Sequence, residues 1–440
     1  MSDLNPAIEY GGGDNTYASM IPIDRYVATK YLGAAYTILI TDKDLNVVGD
    51  PLEHWTSLQA TVRWKEPGSG QIVTPAHKYV REQIQPGNRV VIIRRVFGLS
   101  DTLISGPIEE VLRERSDDGE NGGVGVMTIT FADDMSWLGA RVTYPQPGKE
   151  PKDQTADYWE YTGSPVTAMV NLVNLNAGPA ALTARRVPQL LVGAETAIAG
   201  VKSVKVKTRF EKVTDVLRRI ATQGNGDSFD PDSLGFTCKQ VNQDILFTVV
   251  RSRDLRGQVI FSFNVGNLQY YAFDLVAPEI THPIVGGQGS NLDGEVSGSA
   301  RFVDLFPTTN TANLAWGRYE SFEPMDGSQG NAALAAQAVT VLAEHGESAR
   351  LASNASDTPD QRFGVHYTVG DLVSLELQTG QFVSGLVQTI NVQAYPTAGE
   401  VVGVTIGNQA ARYDSAYVRQ LRTLNRRVGD LERTSTPSRP

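Results

Sequence analysis

Two stretches decide how this chain is read: "PGNRVVIIRRVFGLSDTLISGPIEEV" at 86–111 and "VGDLVSLELQTGQFVSGLVQTI" at 369–390. Each opens with a glycine and a short polar residue, Gly87-Asn88 and Gly370-Asp371. Each then runs into a strand of alternating apolar residues, turns, and returns through Ile104-Ser105-Gly106 or Val383-Ser384-Gly385. Period-two alternation bounded by turn residues is the mark of a hairpin. The step from leading glycine to serine differs by four residues (105 − 87 against 384 − 370), which a longer turn absorbs. A Val/Thr-rich strand follows each return, "VMTITFAD" at 126–133 and "EVVGVTIGN" at 400–408. The pattern reads as one module used twice, although alternation is degenerate enough for unrelated hairpins to look alike.

Outward from the first hairpin lie further strand signals, "AAYTILIT" at 34–41 and "SLQATVRW" at 57–64. A short helix is expected over 76–85, stopped by Pro86-Gly87 because proline cannot continue a helix. Five or six short strands over 31–145 predict a first small, closed or nearly closed β-barrel. Residues 1–30, with "GGGDN" and few periodic apolars, read as an N-terminal arm. The Pro- and charge-rich 145–160 marks a domain boundary.

Beyond it the texture changes to an α/β insertion over 146–265. Ser164-Pro165 opens a helix carrying Val166, Met169, Val170 and Val173. A second helix is read with Phe210, Val213, Val216, Leu217 and Ile220 on one face, ending at Gly224. Strands are expected at "VKSVKVKT", "LGFTCKQV" and "DILFTVVRS". From 266 to 412 the β texture resumes as a second barrel, made discontinuous by an Ala-rich helix at about 331–347. The predicted fold class is therefore β-rich α+β: two similar small β-barrels flanking an α/β insertion, with a C-terminal coiled-coil-like helix.

That helix occupies the last segment, 413–440. Tyr417, Leu421, Leu424, Val428 and Leu431 are spaced 4, 3, 4, 3, a two-heptad seam with Leu421 and Val428 at a. Arg427 falls at g and Glu432 at the next e, placed for an interchain ion pair. So short a helix needs a partner: either other copies of the chain or the chain's own domain.

Composition narrows the functional classes. The chain has 440 residues, 41% hydrophobic and 20% charged, with 42 glycines and 22 prolines spread as turn punctuation. A net charge of −10 argues against a dedicated nucleic-acid binder. One cysteine, Cys238, excludes an intrachain disulfide and a thiolate metal cluster. The sequence has no apolar run long enough for a membrane span and no secretory signal pattern at its start, so the chain reads as made in a cytoplasm and soluble. His54, His77, His282, His345 and His366 are far apart, and no HExxH, GxSxG, GxGxxG or P-loop occurs. Asp227, Asp230 and Asp232 resemble part of a calcium loop but lack its downstream glutamate. Asp117-Asp118 and Asp133-Asp134 read as loop or strand-end residues, and Trp55, Trp64, Trp137, Trp159 and Trp316 as core and interface fillers. No catalytic residue, metal ligand or cofactor is predicted.

The order of several weak signals carries a resemblance: "EHWTSLQATVRWKEPGSGQI", "IQPGNRVVIIRR" with "LISGPIEEV", "FEKVTDVLRRIATQGN" with "GFTCKQV" and "ILFTVVRSRDLRG", "APEITHPIVGGQG", and "YTVGDLVSLELQTGQFVSGLVQTINV". Over about 35–410 the chain resembles the minor tail proteins of long-tailed, non-contractile actinobacteriophages, a branch of the baseplate hub (tail tip) proteins. The resemblance implies a non-enzymatic virion protein assembled in the host cytoplasm. It further implies a homotrimer in which two barrels per chain form a ring of six, adapting a sixfold tail tube to a threefold tip. Its implied partners are a distal tail ring protein and other tail tip or fibre proteins, and DNA would cross its lumen at ejection without specific binding. Other readings stay open: a carbohydrate-binding or cell-wall-degrading tail enzyme with two carboxylates facing a groove, or a sixfold distal tail ring protein.

Overall fold

The computed structural model describes residues 34–115, 124–193, 198–224, 234–287, 302–304, 316–325, 331–345, 348–378 and 380–407. The chain divides into two compact units, Met1–Gln269 with Asn354–Thr405, and Tyr270–Ser353 with Ile406–Pro440.

The first unit is built on one long sheet. Its strands are β1 (Ala35–Thr41), β2 (Ser57–Arg63), β3 (Ser69–Pro75), β4 (Arg89–Val96), β5 (Leu99–Glu114) and β6 (Val126–Ala132). In the insertion follow β7 (Trp159–Gly163), β8 (Leu190–Val192), β9 (Val204–Thr208), β10 (Leu234–Val241), β11 (Asp244–Arg251) and β12 (Ile260–Phe261). The strand β13 (Leu268–Val276) comes next. After the second unit's β14 (His282–Gly287), β15 (Phe302–Asp304) and β16 (Glu320–Met325), β17 (Ser348–Ser356) leads back to β18 (Leu372–Gln378), β19 (Gln381–Tyr395) and β20 (Gly399–Ile406). The row runs β1-β4-β5-β6-β3-β2-β19-β20, with β18 and β12 attached beside β19. The ends of β17 and β13 that lie in the first unit continue it, in the order β20-β17-β13.

The two separate barrels expected from sequence are not what this order shows. Among the described residues no row of strands closes on itself, because β2, the last strand of the first group, carries β3 on one edge and β19 on the other and does not return to β1. Inward residues alternate as a one-sided sheet demands: Ile72, Met127, Ile129 and Phe131 are all fully buried.

The insertion packs the helices Pro165–Asn176 and Val213–Gly224 on the sheet β10-β11-β8 and the pair β7-β9. Proline at its first position and an N-cap at Ser164 start the first helix. Val166, Met169, Leu172 and Val173 join Val213, Val216, Leu217, Ile220, Phe236 and Phe247 in one buried cluster, with Val170 against its edge. Met135 and Leu138 from the segment after β6 enter the same core. Phe210 does not share the second helix's face: it precedes the helix at φ 50° and is exposed.

In the second unit β15-β14-β16 form a sheet, with β14 and β16 parallel. The helix Asn331–His345 lays Leu334 and Ala338 on Val285. The carbonyl of His345 accepts from the amides of Glu279 (2.9 Å) and Ile280 (3.1 Å), which uses an acceptor that the helix end leaves free.

Candidate functional site

At their base the two hairpins agree residue by residue. Gly87 has φ 87° and Gly370 φ 89°, the left-handed region that glycine enters without cost. The third residue after each glycine pairs with the glycine of its Ser-Gly, Val90 with Gly106 and Val373 with Gly385. The fourth pairs with the serine, Val91 with Ser105 and Ser374 with Ser384. The carbonyl after each leading glycine accepts from the amide two residues beyond the Ser-Gly: Ile108 to Asn88 (3.1 Å) and Val387 to Asp371 (2.9 Å). Both hairpins shift register further out, between Ile92 and Ile93 and between Glu376 and Gln378. Both return strands are long and change partner halfway, β5 from β4 to β6 and β19 from β18 to β2 and β20.

Between the hairpins runs the β2–β19 seam. It is antiparallel, from Thr389 opposite Arg63 to Ala394 opposite Leu58. Leu58, Ala60, Ile390, Val392 and Ala394 are buried along it, each large apolar side chain stabilising by about 1.5–3 kcal/mol. At its end the Trp64 amide donates to the Gln388 carbonyl (2.9 Å). The Trp64 indole lies against two glycines, Gly370 of the second hairpin and Gly235 of β10. A Cβ at either would stand 2.3 Å from the ring. One side chain thereby touches the first β group, the insertion and the second hairpin.

Buried polar groups lock the same junctions. Arg89 pairs with Asp134, both nearly inaccessible, while Ser105 Oγ donates to Asp134 Oδ2 (2.6 Å) and accepts from the Gln240 amide (2.7 Å). Burial raises the Asp134 pKa, opposed by the Arg89 charge and the Ser105 hydroxyl. Burial likewise pushes Asp133 up to about 7, although the Gly68 amide at 2.6 Å favours its charged form. The second hairpin's acid, Asp371, takes Arg253 through two bonds of 2.9 and 2.6 Å. Farther along, Arg94 of β4 holds Glu400 of β20 at 3.0 and 2.7 Å, and the Tyr36 hydroxyl donates to the same carboxylate. Burial and then Glu400 hold the Tyr36 hydroxyl far up. β4 and β20 are not neighbours in the row, so the sheet curls to bring them together.

These groups are tied to one another and leave little for chemistry. Cys238 is buried and its thiol pushed well up, first by burial and then by Asp134 and Asp133, which removes its nucleophilic form. Among the described residues no group of three or more His, Cys, Asp or Glu could hold a metal ion. None of the described helices is long and apolar enough to cross a membrane.

The histidines serve local contacts: His54 meets His77 edge-on, His77 stacks on Tyr79, His345 pairs with Glu279, and His366 accepts the Arg362 amide. His282 is buried in β14. Trp64 is buried, Trp137 and Trp159 pack against the insertion core, Trp55 meets Tyr36 edge-on, and Trp316 is half-buried. Asp117-Asp118, Asp227, Asp230 and Asp232 lie outside the described residues, as do the seam residues Tyr417, Leu421, Leu424, Arg427, Val428, Leu431 and Glu432. Sequence reading missed Arg89, Arg94 and Glu400. A charge inside an otherwise apolar strand was the available signal, since such a group is buried only when paired.

A family model described as Siphovirus ReqiPepy6 Gp37-like protein matches residues 37–408. Among solved structures, the 43 kDa tail protein of prophage MuSo2 from Shewanella oneidensis is similar with TM-score 0.50 and 11% identity, covering 84% of this chain and 98% of that one. A tail protein from Neisseria meningitidis MC58 is similar with TM-score 0.50 and 13% identity, covering 85% and 97%. At such identities the likeness is one of fold. No curated protein matches.

Proposed function

The chain belongs to the Siphovirus ReqiPepy6 Gp37-like protein family, and from that membership we propose that it is the structural hub of a phage tail tip. Three copies form a ring in which each contributes two related β modules. The six modules continue a sixfold tail tube on one side and present a threefold tip on the other. The ring surrounds the channel by which DNA leaves the virion and contacts a distal tail ring protein and further tip or fibre proteins. Residues 413–440 supply an oligomerisation helix on the axis, with Tyr417, Leu421, Leu424, Val428 and Leu431 as its seam and Arg427–Glu432 as its interchain pair. The chain acts without catalysis.

The supporting observation is the identical register of the two hairpins, Val90 opposite Gly106 and Val373 opposite Gly385. Two such modules in one chain are what a threefold assembly needs in order to meet a sixfold one. An acidic balance of −10 suits a channel that must not retain phosphates. Native mass of the purified chain tests the proposal. A trimer has three times 47.7 kDa, or 143.1 kDa; a particle that stays at 47.7 kDa at all concentrations refutes it.

A further inference from the structure

Phe210, in the insertion, sits where a phenylalanine is costly. Its φ of 50° lies in the left-handed region that bulky residues avoid, and its ring is 43% exposed, so burial does not offset the strain. Leu45, at φ 67°, is by contrast fully buried. The turn that carries Phe210 is held from beneath. The Thr143 carbonyl accepts from the Phe210 amide (2.7 Å), and the Thr143 amide donates to the Glu211 carbonyl (2.8 Å). The Thr143 hydroxyl accepts from the Glu211 amide (3.2 Å) and lies 2.8 Å from the Thr208 hydroxyl. Arg219 holds the Glu211 carboxylate at 2.6 and 3.1 Å. A strained residue fixed this firmly by its surroundings points to a use outside the fold.

The groups beside the ring say which use. Phe210 meets Tyr144 edge-on, with ring centres 5.6 Å apart. The Arg185 guanidinium stands 3.6 Å from the centre of the same Tyr144 ring, a cation against a π face. Arg185 donates to the Val142 carbonyl and to Asn176 Oδ1 (3.3 Å), while its own carbonyl accepts from Arg141 Nε (3.0 Å). Two arginines are thus brought together, and among the described residues neither is bonded to a carboxylate. Burial lowers the Arg185 pKa and the Arg141 charge lowers it further, against Tyr144 and the exposed Glu150. Residues 141–224 carry twelve lysines and arginines against seven aspartates and glutamates, in a chain whose net charge is −10. Such a local field draws anions in.

We propose that the insertion binds an acidic sugar, with Arg141 and Arg185 taking its carboxylate or phosphate and the exposed face of Phe210 packing on its ring. Guanidinium forks match both anions, and an aromatic ring covers an apolar face while leaving the hydroxyls at its rim free to bond. An aromatic wall with a few convergent polar groups is the usual make-up of a small-ligand site. The groups with unused donors here are side chains, which favours a sugar over an acidic peptide, whose backbone would need bonding partners of its own. The site is independent of the ring proposed above.

Titration calorimetry on the full chain tests it with four probes: trigalacturonate, glucose 6-phosphate, neutral trigalactose and hexaglutamate. One or both acidic sugars should bind, about tenfold or more tighter than trigalactose and hexaglutamate, and binding should weaken as salt is raised. Phe210→Asn removes the ring but suits the left-handed backbone, so it should melt no lower than the wild type while losing about tenfold or more in affinity. Arg141→Gln, which leaves the Arg185 bonds to Val142 and Asn176 in place, should lose as much. Binding of neither acidic sugar, or binding that both variants retain, overturns the proposal. Equal binding of trigalactose or of hexaglutamate overturns the assignment to an acidic sugar. A Phe210→Asn chain that melts well below the wild type shows that the ring serves the fold and overturns the site.

Discussion

Replacing three glycines by alanine separates two physical costs at the Trp64 junction. Gly87 and Gly370 occupy the same place in their hairpins with φ 87° and 89°, but a Cβ at Gly87 meets nothing within 4 Å while one at Gly370 meets the Trp64 ring at 2.3 Å. Gly235→Ala meets the same ring at 2.3 Å without a positive φ. Backbone strain alone costs about 1–2 kcal/mol, and overpacking alone about 1–3 kcal/mol. Gly87→Ala should show the first cost, Gly235→Ala the second, and Gly370→Ala their sum, ~2–5 kcal/mol. In a thermal melt the excess of Gly370→Ala over Gly87→Ala amounts to roughly 1–5 °C for a unit of this size. Trp64→Phe frees space at the ring, so in that background the excess should shrink, giving a coupling of ~0.5–3 kcal/mol. Equal losses from Gly87→Ala and Gly370→Ala, or an excess untouched by Trp64→Phe, would refute the packing of Trp64 across the seam.

Further outcomes follow from the buried polar groups. Arg89→Met leaves Asp134 buried without its cation and should cost about 3–5 kcal/mol by denaturant titration, most of it recovered when Asp134→Leu is added. Ser105→Ala strands the buried Gln240 amide and should cost ~1–3 kcal/mol, while Ser384→Ala, at the matching but exposed position, should stay within about 0.5 kcal/mol. Asp133 binds its proton up to about pH 7 when folded and only near 3.8 when unfolded. Stability should therefore fall as pH rises through that window, by at most ~1.4 kcal/mol per unit, and level off above it. Asp133→Asn should flatten that slope in melts run from pH 4 to 8.

Much of the local structure was legible because local rules set it. The glycine before each hairpin, the Ser-Gly in each return strand, the proline that opens the helix at Pro165 and the glycine that ends the other at Gly224 all lie where those rules put them. The start of β3 escaped notice because Gly70, its second residue, belongs to a run that reads as a turn. The glycine is there because the Phe131 ring covers it, 2.1 Å from where a Cβ would stand. Phe210 fits a helical face by spacing, yet the chain turns at φ 50° before the helix begins. The seam was out of reach: alternation says which side of a strand is buried but not which strand lies beside it. No local signal ties Thr61 to Asn391, whose side chains bond across β2 and β19 at 2.9 Å. Nor does any tie Arg94 to Glu400. Expecting two barrels was the consequence, since each group looked self-contained until β2 paired outside its own.

Images of the assembled particle averaged down its axis test the central claim most directly. The account predicts a threefold annulus whose wall shows six similar β densities around an open channel, alternating between first and second modules. A solid particle, or a ring with any other symmetry, would contradict it.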